Sequence, residues 1–191
     1  MSRKVIIVGD GMVGKSALLH AFVHGVFHET YIPTVFETSA MDVEINGGKH
    51  VTLGLWDTGG QEEFDQIRQL AYPGACVILL CYAVDSPTSL SNVVHTWSPE
   101  VRRFCPQVPV LLVGCKSDLR SAGKGHGRLV NPKEAAEIHK EIGARLHIEC
   151  SAKTLSNVYT VFELAAECAH QYSETHESQA SKRGAQTCQI V

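Results

Sequence analysis

The chain has 191 residues, 44% hydrophobic and 19% charged, enough to bury one core and too apolar for a disordered chain. A formal net charge of -3, with 17 basic against 20 acidic residues and no basic stripe, argues against nucleic acid as a partner. Seven scattered cysteines, several in apolar runs (Cys76, Cys81, Cys150), suit reduced thiols, and the longest apolar run, near Ala75–Val84, falls short of the about 20 residues of a membrane span.

The N-terminus has no signal-peptide layout, and Ser2 stands where myristoylation needs glycine. Val5–Val8 reads as a buried strand and Lys15–His24 as a helix, with G-D-G-M-V-G-K-S, Gly9–Ser16, at their junction. G-x-x-x-x-G-K-S in that setting is a phosphate-binding loop: glycines let the backbone wrap a polyphosphate, with consecutive N–H groups and the positive helix end facing the anion. Lys15 is expected to bridge the β- and γ-phosphates and Ser16 to offer its hydroxyl to Mg²⁺. His20, His24 and His28 recur every fourth residue, but Gly25 should end the helix first and no acidic or cysteine partner stands at zinc-site spacing. They read as an exposed polar face.

Met41–Ile45 and Val51–Trp56 flank Asn46-Gly47, a hairpin signal that puts the first of these strands at a sheet edge. W-D-T-G-G-Q-E, Trp56–Glu62, then sets Asp57 at a strand end, where it can hold a Mg²⁺-bound water. Gly60 follows with an N–H able to reach a γ-phosphate, and Gln61 can orient a water for in-line attack. Val77–Tyr82 and Val110–Val113 are further buried strands, with a helical pattern over Ser89–Phe104 between them. The phosphate loop alone leaves kinase, ATPase and GTPase open. G-C-K-S-D-L, Gly114–Leu119, narrows the choice, because the Asp118 carboxylate can accept from guanine N1–H and its 2-amino group. Adenine offers no such pair, and an unpaired buried acceptor costs about 1–3 kcal/mol.

A helix over Pro132–Ile142, a strand over Leu146–Glu149 and a helix over Val158–Tyr172 complete the pattern; between the last two lies C-S-A-K, Cys150–Lys153, where an N–H near Ala152 could bond guanine O6. Strands alternating with helices specify an α/β fold: a mixed, mostly parallel six-stranded sheet, one antiparallel edge strand, helices on both faces. Residues 1–172 form the domain, and the polar, aperiodic residues 173–191 read as a flexible tail. Its end, C-Q-I-V, fits a prenylation box on Cys188. The single basic pair Lys182-Arg183 and the lack of a second tail cysteine make the second membrane signal weak, so attachment should be reversible.

In this order the four motifs resemble the P-loop G domain of the Ras superfamily of small GTPases. Y-I-P-T-V-F-E (Tyr31–Glu37), Leu70-Ala71-Tyr72-Pro73, W-S-P-E-V (Trp97–Val101) and V-L-L-V-G-C-K-S-D-L-R resemble its Rho family. The resemblance implies that Thr34 in switch I ligates Mg²⁺ and senses the γ-phosphate, that Phe27 packs on guanine, and that Lys116 lays its stem on the base. It also assigns nucleotide contacts to Gly11, Met12, Val13, Gly14, Ala17, Tyr31, Leu119, Ser151, Ala152 and Lys153, and places Gly60 and Gln61 in switch II. Gly11 leaves room for Gln61 and for an arginine from an activating protein. The implied activity is slow GTP hydrolysis to GDP and phosphate, with Gln61, Lys15, Gly60 and Thr34 as the catalytic set. Implied partners are an exchange factor, an activating protein, a dissociation inhibitor, effectors and, through a prenyl group, the inner membrane leaflet. The implied location is the cytoplasmic face of the plasma membrane or endomembranes with a cytosolic pool, in cytoskeletal or polarity signalling.

Several positions depart from that pattern. Gly59 replaces the usual alanine, and its backbone freedom is expected to raise the entropy cost of ordering switch II. Met12 replaces a small residue. Cys115 replaces an asparagine or threonine and cannot make the same hydrogen bond to the phosphate loop, which points to faster nucleotide exchange. Thr38-Ser39 replaces Asn-Tyr and alters the effector-facing surface. Between Leu119 and Val130, R-S-A-G-K-G-H-G-R is too short and glycine-rich for the Rho insert helix. These departures sustain an alternative: an atypical Rho protein, poor in hydrolysis or fast in exchange, acting as a GTP-bound effector-binding module.

Overall fold

A computed structural model describes residues 2–28, 34, 36–121 and 128–187; Tyr31, Cys188 and most of the shortened insert lie outside them. Six strands, β1 (Arg3–Gly9), β2 (Phe36–Ile45), β3 (Lys49–Thr58), β4 (Ala75–Ala83), β5 (Val110–Cys115) and β6 (Leu146–Glu149), form one sheet in the order β2-β3-β1-β4-β5-β6. Only β2 and β3 pair antiparallel, around the Asn46-Gly47-Gly48 turn. The helices are α1 (Lys15–His24), α2 (Asp65–Ala71), α3 (Pro87–Asn92), α4 (Ser98–Phe104), α5 (Pro132–Glu141) and α6 (Val158–Thr187). The fold is the mixed, mostly parallel α/β sheet that the alternating patterns imply.

The central strands are apolar on both faces because each face has its own core. Along β1, Val5 and Ile7 join one cluster with Leu18 and Leu19 of α1 and Phe162, Ala165 and Ala169 of α6. Ile6 and Val8 point the other way, into a cluster with Leu90, Trp97, Val101 and Ala135. This is the period of two that a strand buried on both sides requires. Since β1, β3, β4, β5 and β6 all run parallel, the segments that follow them leave the sheet at one edge, where ligands bind in open α/β sheets.

Local signals fix the helix starts. Ser86 accepts the Ser89 N–H at 3.2 Å ahead of α3, with Pro87 as its first residue. Asn131 and Glu134 close a reciprocal capping box on α5. Three elements differ from the sequence expectation. The helix expected over Ser89–Phe104 is split into α3 and α4 by a wider π-helical turn, Val93–Trp97, which brings Trp97 to a buried position. Strand β2 begins at Phe36, ahead of its apolar run, because an edge strand alternates exposed and half-buried residues. Helix α6 continues past Tyr172 to Thr187, through residues read as flexible: no proline interrupts that stretch, and helix hydrogen bonds are local. Among the described residues no helix is long and apolar enough to cross a membrane.

Phe162 is fully buried and stacks on Phe22, ring centroids 4.0 Å apart. Phe162→Ala is expected to lower stability by about 3–5 kcal/mol, measured by chemical denaturation.

Candidate functional site

The loop between β1 and α1 is shaped by Gly14, which caps α1 at φ 110, a left-handed conformation that a side chain would strain. Lys15 is buried and donates from Nζ to the carbonyls of Gly9 (2.8 Å) and Asp10 (2.7 Å). Burial pushes its pKa down, and the Asp57 carboxylate opposes that shift. Met12 has a φ of 64 and is 69% exposed, so the loop turns its one large side chain to solvent. Val13 is buried in the core beneath the loop and Ala17 is half-buried on α1. From the other side Asp10 accepts from Trp97 Nε1 (2.6 Å) and Asn92 Nδ2 (2.8 Å), a brace that the W-S-P-E string does not reveal.

Asp57 sits at the end of β3, fully buried, and among the described residues neither carboxylate oxygen has a well-formed hydrogen bond. Burial raises its pKa to about 6, against the opposing effects of the Ser16 hydroxyl and the Lys15 charge. The Ser16 hydroxyl also pairs with Thr34 Oγ1 at 2.7 Å, and either oxygen can be the donor. An unpartnered buried carboxylate is costly, and a hard cation with oxygen ligands relieves that cost. Ser16, Thr34 and Asp57 supply such oxygens and fit Mg²⁺. The rings of His24, at the end of α1, and His28, beyond it, have centroids 5.6 and 6.4 Å from that of His20, whose Nε2 is 3.3 Å from Glu37 Oε2. Among the described residues, no group of three or more His, Cys, Asp or Glu is arranged to hold a metal.

Gly60 packs directly on the loop. A Cβ there would stand 2.3 Å from Gly9 O and 2.6 Å from Gly11 N, which only glycine avoids. Gln61 follows, its Cγ 3.7 Å from the place a Gly11 Cβ would take. A cleft of about 770 Å³ opens here, lined by Asp10, Gly11, Gly60, Gln61, Arg68 and Trp97 among others. Arg68 was not legible as a site residue. It is buried and donates to Gly59 O (3.0 Å), to both Glu100 oxygens (2.7 and 2.9 Å) and to Asp65 Oδ1 (2.6 Å), with its guanidinium 4.7 Å over the Trp97 ring. Burial alone would lower its pKa; the hydrogen bonds to Glu100 and Asp65 prevail and raise it.

The two remaining motif loops meet beyond β5 and β6. Cys150 N donates to Gly114 O (2.8 Å), Ser117 N to Cys150 O (3.0 Å), and Ser151 Oγ to Asp118 Oδ1 (2.6 Å). Thr154 N in turn donates to Ser151 Oγ at 3.1 Å, so Asp118 is oriented through the serine. Lys116 has a φ of 63 and holds Nζ 3.3 Å from Asp85. Leu119 and Ala152 pack against the two cores, Phe27 is half-buried after α1, and Lys153 is exposed. Cys115 is buried, its Cβ 3.3 Å from the place a Gly14 Cβ would take, so a side chain at position 14 would be crowded by it.

Residues 4–171 match the Ras family. The chain is 48% identical over 176 residues to the GTP-binding protein rho1 of Schizosaccharomyces pombe, covering 88% of this chain and 87% of that protein. It is 47% identical over 184 residues to the GTP-binding protein RHO1 of Candida albicans, covering 93% and 92%.

The Arg68 side chain is 2% exposed and that of Glu100 15%. Arg68→Ala should therefore destabilise the fold by about 3 kcal/mol or more by stranding a buried carboxylate. Arg128, 74% exposed in its pair with Glu134, should lose less than about 1 kcal/mol on the same change. Denaturant midpoints of the two variants check the contrast.

Proposed function

The chain belongs to the Ras family and is a Rho-type small GTPase, and from that premise we propose that it is a magnesium-dependent switch that hydrolyses GTP to GDP and phosphate. The observation that carries this reading is the buried Asp57 carboxylate, without a well-formed hydrogen bond among the described residues, beside the paired hydroxyls of Ser16 and Thr34. These three groups would hold Mg²⁺, Asp57 through a water, and the ion would neutralise charge on the β- and γ-phosphates.

Each remaining role follows from position. Lys15, now bonded to the loop carbonyls, would exchange them for phosphate oxygens. The Gly60 N–H would meet the γ-phosphate, and Gln61, opposite Gly11, would orient a water in line with the γ-phosphorus. The water oxygen bonds to phosphorus, the bond to the bridging oxygen breaks, GDP leaves with that electron pair, and the water's proton passes to the phosphate and solvent. Positioning and charge stabilisation supply the rate. Arg68 is already engaged by Glu100 and Asp65, so slow turnover accelerated by an activating protein's arginine is expected. For the base, Asp118 held by Ser151 would accept from guanine, with Lys116 and Phe27 on its faces and an N–H near Ala152 at O6.

Thr34 would tie switch I to the triphosphate, and hydrolysis would release it, timing effector binding. Prenylated Cys188 would give reversible attachment to the cytoplasmic face of a membrane, with extraction by a dissociation inhibitor. Cytoskeletal or polarity signalling is carried over from the family. The competing reading is an atypical Rho protein, poor in hydrolysis or fast in exchange, acting as a GTP-bound effector-binding module; it rests on Gly59 and Cys115, whereas Gly11 and Gln61 favour the hydrolysing switch.

Calorimetry should show GTP bound and ATP not. Asp118→Ala should weaken GTP by about tenfold to a hundredfold, and affinity for ATP equal to that for GTP would refute the role of Asp118. In single-turnover assays Gln61→Ala should slow phosphate release by about a hundredfold. Expressed in a eukaryotic cell, the wild type should partition with membranes and Cys188→Ser should remain in the soluble fraction, as read by fractionation.

A further inference from the structure

Gly59 was expected only to add backbone freedom beside Gln61, and the structure gives it a different constraint. A Cβ at this position would stand 2.4 Å from Phe64 Cδ2, 3.1 Å from Phe64 Cγ and 2.7 Å from the carbonyl oxygen of Thr34. The ring of Phe64 can swing aside; the Thr34 carbonyl is main chain, and its side chain is bonded to Ser16 at 2.7 Å. Gly59 cannot retreat either. Its own carbonyl accepts from Arg68 Nη1 at 3.0 Å, and its neighbour Gly60 is wedged against the backbone of Gly9 and Gly11.

We propose that Gly59 is a positioning residue: lacking a side chain, it lets the Thr34 carbonyl and the Phe64 ring close over it, so that Thr34 seats directly on the turn that leads into Gln61. The alanine usual in the family does not fit this arrangement without parting the two segments. The contact joins the residue that pairs with Ser16 to the strand end that leads into Gln61, so closure of one switch is transmitted to the other through van der Waals contact. In this chain the glycine trades backbone entropy for a tighter closed state. The inference rests on the nucleotide-switch reading and deepens it.

The test loads the full chain with Mg²⁺ and a non-hydrolysable GTP analogue and records the phosphorus NMR spectrum of the bound triphosphate. It compares wild type, Gly59→Ala, Phe64→Ala and the double variant. Gly59→Ala is expected to shift or split the γ-phosphate line and to slow single-turnover GTP hydrolysis by about tenfold, with GDP affinity kept within about threefold. Adding Phe64→Ala should return part of the shift, because it removes the nearest clash and leaves the Thr34 carbonyl. Phe64→Ala alone should broaden the same line, which keeps the proposal testable should Gly59→Ala not fold. A γ-phosphate line identical to wild type in Gly59→Ala, a double variant no nearer wild type than Gly59→Ala, or an unchanged line in Phe64→Ala overturns it. A wild type that binds no analogue at all overturns the switch reading itself; a wild type that binds it with indifferent variants overturns only this inference.

Discussion

A carboxylate sealed from water is an expensive feature for a small domain to carry, and the motif loops of this structure converge on one. Asp57 lies at the end of β3, in register with Ile7 of β1 and without exposure to solvent. Its pKa is raised because burial disfavours the charge, and Lys15, itself buried, only partly offsets this. A hard cation with oxygen ligands would relieve the remaining cost of that charge. The loop that supplies Ser16 and the segment that supplies Thr34 are the natural companions of that cation.

The sheet makes this placement possible. Parallel β1 and β3 lie side by side, so the turn after one and the turn after the other share an exit, and Thr58 Oγ1 donates to Ile7 O at 2.8 Å to lock the pair. The Gly60 main chain can then rest on the phosphate loop, and Gln61 comes to face Gly11. On the far side β5 and β6 bring Asp118 and Ser151 within hydrogen-bond reach by the same logic. The two loop pairs thus lie on one sheet edge, separated by β4.

How much of this the sequence disclosed depended on whether a feature is local. The phosphate loop was readable because glycine, lysine and serine at fixed spacing between a strand and a helix have few other uses, and the two-sided core was readable from uninterrupted β-branched runs. Asp57 stood out as a charge at the end of such a run, and Asp118 through its place in G-C-K-S-D-L. The Arg68 clamp was not readable: its partner Glu100 is 32 residues away and lies in a string that looks like an ordinary helix start. The close approach of Thr34 and Phe64 to Gly59 has no trace in the sequence, since only the folded chain brings them together. The reach of α6 to Thr187 escaped for the opposite reason, because a polar stretch without apolar periodicity carries no sign of helix even where its backbone adopts one.

The most direct test titrates GTP into the wild-type chain and into Asp57→Asn, each with Mg²⁺ and with a chelator, by calorimetry. The account predicts that chelation weakens the wild type by about tenfold or more, that Asp57→Asn loses most of this metal dependence, and that the ligand-free variant is no less stable than wild type because an uncompensated buried charge has been removed. GTP affinity indifferent to the chelator, or an Asp57→Asn variant that keeps the full metal dependence, would contradict it.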